Sequence, residues 1–466
     1  MPSLSRQLAD WVWNLKYEDL PPPVLDRARG VTLHGLASAL VGHGRAETAQ
    51  SLALMKEEEA GGGGAATVLV DGSKLTKAGA AFVNSEMTFA GGKWDTFRML
   101  THPGCAILPA ALAAAEVKGS NGREYITGLV AGYEVMERMA ADFIPTIMSR
   151  GFHAGPVFAI FGAAVAAAKI SGLNADQIHG TIAQCVNLAS GNLEGARSGG
   201  RALREGGAVR NAFLAVALAR HGLPGGETVL EGEAGFYHAY VGNNLGRLTY
   251  SFTGDTSTSL AKITSGLGED WIFLETLYRI YTTAGYNIAH VDVTARLCEE
   301  HNIRPEDVDR IEAVVNWLET QYPSPAFPSR RSDVQPAADG PQYYAAYGVV
   351  QRGFPLTKDR ARGLGEPDPA AVLELMQRVR IIPSHRQTLF GPAVTIHLKD
   401  GRSYTRISTG REFVWDFQEE AKRIRGVIPS LPISAARFEE LILACSEIER
   451  LERAARLIEL TLAPKA

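Results

Sequence analysis

The sequence predicts a mainly α protein that combines a large all-helical domain with a smaller α+β lid domain. The chain has 466 residues, 45% hydrophobic and 21% charged, which exceeds one ordinary domain and is typical of a protein with a large core. Long Ala- and Gly-rich segments fill the N-terminal half, whereas the clearest strand patterns begin at Val308. We therefore predict the helical domain over 1–266, the lid over 267–405, and C-terminal helices over 406–466 that rejoin the helical domain.

The N-terminal elements follow from capping and turn residues. Ser3 or Ser5 can cap a first helix, and the prolines at 21–23 separate it from a second. The glycines at 61–64 predict a loop before an apolar run that is typical of a strand. These signals predict helices over 3–16, 24–40 and 77–90, and a strand over 65–70.

The stretch from Gly91 to Gly104 mixes ionisable, aromatic and turn residues without any period, so we predict a loop. It begins a pattern that occurs three times, in which a polar, Gly-bearing segment leads into a helix of Ala, Gly, Val and Leu. Small residues let helices pack closely, which predicts central helices of the large domain. The three helices are expected over 105–118, 157–170 and 208–221.

The lid domain is predicted from alternating apolar residues. The run from Val308 to Val315 alternates like a strand, and the turn Asp400-Gly401 predicts a hairpin near the end of the lid. Further strands are expected over 378–382, 393–398 and 402–407, helices over 290–301 and 343–351, and a helical C-terminus from 409 onward.

Composition excludes several classes of protein. The net charge of −4 provides no basic surface for nucleic acid or for anionic membranes. Cys105, Cys185, Cys298 and Cys445 lack the spacing of a zinc site, an iron–sulfur cluster or a disulfide framework, and we expect neither a metal nor a cofactor. No signal peptide or membrane-spanning run is found, so we expect a cytoplasmic protein.

Two histidines, His102 and His153, precede two of the small-residue helices. Near a helix N-terminus the pKa of a histidine falls, so a neutral imidazole can accept a proton from a carbon acid. The alternative is that each histidine only caps a loop.

Cationic residues accompany the same helix starts, namely Lys93, Arg98, Arg201 and Arg204. Arginine binds carboxylates in two-pronged geometry, which suits a di- or tricarboxylate, although solvated surface charge is the alternative. The lid offers Arg279, Tyr281 and Tyr344 as further candidates, against the alternative that the tyrosines belong to the core.

The remaining chemistry is proton transfer on a small polycarboxylate. Motifs for serine hydrolases, zinc proteases, dinucleotides and the phosphate loop are not found. A protein that only binds carboxylates is the rival class, because cationic helix starts would serve it equally well.

Several motifs, in this order and spacing, resemble the MmgE/PrpD family over nearly the whole chain. They are Tyr17-Glu-Asp-Leu-Pro, Ala80-Ala-Phe-Val-Asn84, Asp95-Thr96, His102-Pro-Gly, Gly151-Phe-His153 and Val229-Leu-Glu-Gly-Glu-Ala-Gly-Phe236. The resemblance implies a homodimer with its active site between a helical domain and a lid, and metal-free cleavage of a C–H or C–C bond beside a carboxylate. It places His102, His153 and Thr96 in the active site, with Asp95 beside them and Tyr344 as the lid tyrosine.

Departures from the family pattern favour an epimerase. Gly92 replaces the first aspartate of an Asp-Phe-Asp-Asp-Thr run, and Arg201 and Arg279 stand where lysines are expected, with His290 the nearest candidate for a further histidine. Arginine is a poor proton donor, so expulsion of hydroxide is disfavoured while a carboxylate clamp is kept.

Our hypothesis from sequence is a cofactor-independent epimerase of a small dicarboxylic or amino-dicarboxylic acid, similar to iminodisuccinate epimerase. We expect the catalytic residues to be His102, His153, Lys93 and Tyr344. We expect the substrate to be bound by Asp95, Thr96, Arg98, Arg201, Arg204, Arg279 and Tyr281. The alternative is a dehydratase or decarboxylase of a citrate-like tricarboxylate, of the 2-methylcitrate dehydratase or cis-aconitate decarboxylase type. A non-catalytic carboxylate-binding protein is the third possibility.

Overall fold

The computed structural model describes residues 2–60, 62–197, 204–281, 283–328, 336–337, 340–354 and 367–464. It confirms a mainly α protein with a smaller α+β portion. No helix among these residues is long and apolar enough to cross a membrane.

Twelve helices of the described chain precede the lid region. They are α1 (Leu4–Asn14), α2 (Pro22–Gly42), α3 (Ala46–Glu58), α4 (Lys77–Gly91), α5 (Gly104–Lys118), α6 (Gly122–Ala140), α7 (Ile144–Ser149), α8 (Ala154–Ile170), α9 (Ala175–Leu188), α10 (Glu194–Arg197), α11 (Glu205–Arg220) and α12 (Phe236–Val241). The helix starts have the local causes expected from sequence. Ser3 caps α1 and Thr76 caps α4, each accepting a hydrogen bond from a backbone N–H three residues on.

Close packing of the central helices depends on glycine. A Cβ atom at Gly132 of α6 would lie 2.6 Å from the carbonyl oxygen of Gly162 in α8, and one at Gly162 would lie 2.9 Å from the carbonyl of Gly132. The two helix backbones therefore approach more closely than any side chain would permit, as the small-residue pattern predicts.

Two short antiparallel ribbons lie in this part of the chain. Strand β1 (Ala66–Thr67) pairs with β2 (Lys74–Leu75), and β3 (Trp94–Thr96) pairs with β4 (Leu277–Arg279). The strand predicted over 65–70 is thus only two residues long. The prediction of a pure loop from Gly91 to Gly104 was wrong, because its centre forms β3 and pairs with a distant strand.

A second hydrophobic core lies in the α+β portion. Its sheet has the order β6-β5-β7-β8, with β5 parallel to β6 and antiparallel to β7. The buried faces of α13 and α14 join this core. The elements are α13 (Gly285–Glu300), β5 (Val308–Asn316), α14 (Pro341–Gln351), α15 (Ala370–Leu375), β6 (Val379–Ser384), β7 (Ala393–Leu398) and β8 (Ser403–Ile407).

The C-terminal segment packs against the hydrophobic core of the N-terminal helices. It contains α16 (Phe417–Ile424), α17 (Ala435–Ser446) and α18 (Ala455–Thr461), so helix begins at Phe417 rather than at the predicted 409. Glu420 of α16 contacts Nδ1 of His34 in α2 at 2.7 Å, and both side chains are fully buried. After strand β8 the chain therefore returns to the core formed by the N-terminal helices.

Candidate active site

The β3–β4 ribbon joins the Gly91–Gly104 stretch to the start of the lid region. Trp94 lies directly opposite Arg279, and Thr96 lies opposite Leu277. Residues opposite each other in an antiparallel pair project their side chains on the same face. The register therefore places Arg279 beside the residues that lead to His102.

His102 lies at the end of this stretch, just before α5, and is only 5% exposed. Its Nδ1 atom lies 3.1 Å from the carbonyl oxygen of Asp95 and 3.3 Å from Oγ1 of Thr96. A carbonyl oxygen only accepts hydrogen bonds, so Nδ1 of His102 is the donor. In the neutral imidazole the lone pair is then on Nε2, which makes Nε2 a proton acceptor.

His153 is the N-cap residue of α8 and is 1% exposed. Its Nδ1 atom accepts a hydrogen bond from the backbone N–H of Gly155 at 3.1 Å. The neutral ring therefore carries its proton on Nε2, and this buried atom has no hydrogen-bond partner in the part of the chain that the structure describes. His153 presents an unused donor.

Both imidazoles are held neutral by their surroundings. Burial, followed by the charge of Arg279, holds the pKa of His102 well below its usual 6.5, and Arg204 and His153 lower it further. Burial and the charge of Arg204 lower the pKa of His153 to about 3. Arg279, Arg204 and His153 are therefore all close enough to His102 to influence its charge.

Arg204 and Arg279 supply positive charge that the described residues do not neutralise by an ion pair. Arg279 is 8% exposed, its Nε atom has no hydrogen-bond partner among the residues described, and burial lowers its pKa to about 10. Its guanidinium lies 4.2 Å from the centre of the Trp94 ring, and that of Arg204 lies 5.2 Å from the centre of the Phe89 ring. A buried cation without an anion is costly, so a bound carboxylate would stabilise this arrangement.

Asp95 and Thr96 support the site from within the protein. The Asp95 carboxylate accepts hydrogen bonds from the backbone N–H of Gly104, at 2.9 and 3.0 Å, and from the Tyr133 hydroxyl at 2.5 Å. Burial raises the pKa of Asp95, and these hydrogen bonds oppose the shift. Lys93 is also buried, and its backbone N–H donates to Ser38.

Two predicted residues point elsewhere. Arg98 forms an ion pair with Glu275 at 2.7 Å and lines a separate cavity of about 1080 Å³ whose lining includes neither histidine. Tyr281 stacks on Phe354, with ring centres 3.8 Å apart, and contacts Arg423 of α16. Arg201 lies outside the described residues.

Tyr344 reaches the site together with two tyrosines that were not predicted. It is 4% exposed in the first turn of α14, and its phenol lies within electrostatic range of Arg279. Tyr286 and Tyr322 lie within the same range. They come from separate lid elements, so no local pattern in the sequence could have grouped them.

The site thus combines a proton acceptor on His102, a hydrogen-bond donor on His153 and two arginines that have no ion-pair partner among the described residues. These are groups that an enzyme needs for proton transfer beside a carboxylate. The MmgE/PrpD N-terminal domain model matches residues 6–247. The chain belongs to the MmgE/PrpD family.

Similar proteins are named as cis-aconitate decarboxylases or as like them. The cis-aconitate decarboxylase-like protein oryM of Aspergillus oryzae is 26% identical over 347 residues, which are 69% of this chain and 70% of that protein. The cis-aconitate decarboxylase of Aspergillus terreus is 28% identical over 293 residues, 60% of this chain and 57% of that one. The human cis-aconitate decarboxylase is 24% identical over 425 residues, 87% of this chain and 82% of that one.

Proposed function

We propose that this protein is a lyase that acts on a citrate-like tricarboxylate, as a decarboxylase or a dehydratase. The observation that carries the proposal is the proximity of two arginines, Arg204 and Arg279, to the neutral imidazole of His102, where no described residue forms an ion pair with either guanidinium. The arginines favour a substrate with more than one carboxylate, because each guanidinium suits one carboxylate in two-pronged geometry.

The residues have complementary roles in this proposal. Nε2 of His102 accepts a proton from the carbon next to a bound carboxylate, and the electron pair of the broken C–H bond moves into that carboxylate. The Nε2–H of His153, with Arg204 and Arg279, stabilises the negative charge that develops on oxygen. In a dehydration, His102 gives this proton to the leaving oxygen, which departs as water while the electron pair forms the C=C bond. In a decarboxylation, His102 returns the proton to another carbon, the bond between carbon and a carboxylate then breaks with release of carbon dioxide, and the electron pair left on carbon takes up a proton from water.

The choice of a lyase over an epimerase draws on the relatives. The proteins that share 24–28% identity with this chain are named for the decarboxylation of cis-aconitate. This supports the alternative considered from sequence rather than our first hypothesis of an epimerase, for which the relatives offer no specific support. The activity and substrates of the relatives come to this chain only as part of the proposal.

An epimerase of a dicarboxylic acid is the second candidate. Arg279, in a position where the family resemblance leads us to expect lysine, is a cation that exchanges protons poorly even with its lowered pKa of about 10. A site with one proton acceptor and fixed cations can return a proton to carbon. Expulsion of hydroxide would also require a proton donor for the leaving oxygen.

Proton NMR in deuterated water distinguishes these reactions. The full chain is incubated separately with cis-aconitate, 2-methylcitrate and a chiral dicarboxylate such as malate. A lyase converts one of the tricarboxylates into a product with new vinylic signals, and decarboxylation also releases carbon dioxide. The same incubations with His102→Gln serve as the control, because loss of the proton acceptor should abolish turnover.

The other outcomes decide between the remaining classes. Deuterium at the α-carbon of malate together with loss of optical activity, and no vinylic product from the tricarboxylates, would replace the lyase by the epimerase. Saturable binding of a tricarboxylate without chemical change would leave a binding protein and would overturn the proposed activity.

A further inference from the structure

Trp94 contacts both the proton acceptor and a substrate-binding cation of the proposed site. Its indole centre lies 4.2 Å from the Arg279 guanidinium and 4.5 Å from the centre of the His102 ring. Trp94 is also paired across the β3–β4 ribbon with Arg279. One side chain thus touches the two groups whose relative position determines where a carboxylate and its neighbouring carbon would lie.

The indole itself is firmly held. Its Nε1–H donates to the carbonyl oxygen of Phe89 at 2.9 Å, and its ring stacks on the Phe89 ring with centres 4.5 Å apart and an angle of 23°. Because Phe89 belongs to α4, the indole is fixed to the helical domain while Arg279 belongs to the strand that leads into the lid. The indole therefore fixes the position of the Arg279 guanidinium relative to α4.

Arg279 needs such a support. Among the described residues it has no ion-pair partner, and its Nε atom makes no hydrogen bond. A long side chain without these contacts would sample several rotamers, and only some would place its charge beside His102. A desolvated aromatic face is an effective alternative partner for a guanidinium.

We propose that Trp94 is a positioning residue, which holds the Arg279 guanidinium and the His102 imidazole in one fixed arrangement. The expected effect of Trp94 on substrate binding rests on the proposed function, because it assumes that Arg279 binds a carboxylate. The arrangement of Arg279 and His102 does not depend on that function and can be measured in the protein without ligand.

The experiment compares Trp94→Phe, which keeps an aromatic face, with Trp94→Leu and Trp94→Met, which remove it. Citrate binding is measured by calorimetry, and the titration of His102 is followed by NMR in ligand-free protein. The matched control is Trp271→Leu, because Trp271 is similarly half-buried, contacts Trp11, and lines the separate cavity. Thermal unfolding verifies that each variant is folded. Two non-aromatic variants are used so that one remains for the test if the other does not fold.

We expect Trp94→Leu and Trp94→Met to bind citrate about tenfold more weakly, because both lose a desolvated cation–π contact. The pKa of His102 should also rise, because Arg279 moves away while Arg204 and His153, the other groups that lower it, stay in place. Trp94→Phe should resemble the wild type in both measurements, as should Trp271→Leu. A change in KM much larger than that in kcat would accompany these effects.

An unchanged His102 titration and unchanged citrate affinity in the folded non-aromatic variants would overturn the proposal and leave the proposed function intact. Equal loss in Trp94→Phe and Trp94→Leu would also overturn it, because the aromatic face would then be irrelevant. If the wild type does not bind citrate, the carboxylate part of the proposed function fails. The His102 titration then decides alone: a rise supports the role of Trp94, and no change refutes it.

Discussion

His102 and His153 present the same ring nitrogen to the site in opposite protonation states. Nδ1 of His102 donates to the carbonyl oxygen of Asp95 at 3.1 Å, whereas Nδ1 of His153 accepts from the N–H of Gly155 at 3.1 Å. With both rings neutral, Nε2 is a proton acceptor in His102 and a donor in His153. Backbone contacts, fixed by the folding of the two helix starts, thus assign different chemical roles to two identical side chains.

Replacement of the histidines should separate these roles. His102→Gln removes the proton acceptor and should lower kcat by about 10²–10⁴-fold. His153→Gln keeps a hydrogen-bond donor and should have a smaller effect, while His153→Ala should cost about 10²–10³-fold, as for loss of one oxyanion donor. The control is His238→Gln, an exposed histidine of α12. Wild-type kcat in both His102→Gln and His153→Ala would remove these residues from the mechanism.

The pH dependence of stability should reflect the buried neutral histidines. The pKa of His153 is lowered from 6.5 to about 3, so between these values the unfolded chain binds a proton that the folded chain does not. Stability therefore falls as the pH decreases below 6.5, by about 1.4 kcal/mol per pH unit for each such group. Urea unfolding of wild type and His153→Gln from about pH 5 to 6.5 should show the slope reduced by one such contribution. Identical slopes would contradict the neutral state of His153.

The pH at which kcat/KM begins to fall on acidification should be unusually low. Because kcat/KM reports the free enzyme, its decline on acidification follows the pKa of His102, which burial and Arg279 hold well below 6.5. Activity should therefore remain level as the pH falls through 6.5. In Arg279→Gln the remaining activity should decline at a higher pH, since one of the charges that lowers the pKa of His102 is absent.

Arg279 should favour binding of a carboxylate and should not stabilise the ligand-free protein. Because no described residue supplies an anion to its buried guanidinium, Arg279→Gln should leave the Tm of the ligand-free protein unchanged or higher, while citrate should no longer raise it. The matched control is Arg138→Gln, since Arg138 is equally buried but is paired with Glu134 and with backbone carbonyls. That change should cost about 3–5 kcal/mol. A loss of similar size in Arg279→Gln would show that Arg279 is satisfied internally.

Asp95 should matter through the structure around His102. Asp95→Ala leaves the Gly104 N–H and the Tyr133 hydroxyl without their acceptor, which should destabilise the protein by about 1–3 kcal/mol. It also loosens the segment whose carbonyl fixes the His102 tautomer. Tyr133→Phe removes only one of these hydrogen bonds and should cost less. Unchanged unfolding and unchanged kcat in Asp95→Ala would contradict this role.

The predictable part of the fold and site depended on local signals. His102, His153 and Arg204 were identified because each precedes a small-residue helix, and helix starts follow from nearby capping, glycine and proline residues. In the structure these three helices begin at Gly104, Ala154 and Glu205, within three residues of the predicted starts at 105, 157 and 208. Arg279 was named as a candidate from its residue type, and the family resemblance then placed it where a lysine is expected.

The remaining features depend on contacts between distant parts of the chain. Strand β3 has three residues and owes its existence to pairing with β4, which no periodicity within Gly91–Gly104 reveals. Helix α6 was not predicted, and it carries the buried residues Glu134, Glu137 and Arg138, whose hydrogen bonds to residues 265–276 are contacts between distant parts of the chain. Tyr281 was assigned to substrate, but the chain leaves β4 after Arg279 and this ring packs on Phe354.

The opposite tautomers of the two histidines are tested most directly by ¹⁵N NMR of histidine-labelled protein at neutral pH, with His102→Gln and His153→Gln used to assign the signals. We predict that His102 shows a protonated Nδ1 and an unprotonated Nε2, and that His153 shows the reverse. The same tautomer at both positions, or a charged imidazolium at either, would contradict the division of the site into one proton acceptor and one hydrogen-bond donor.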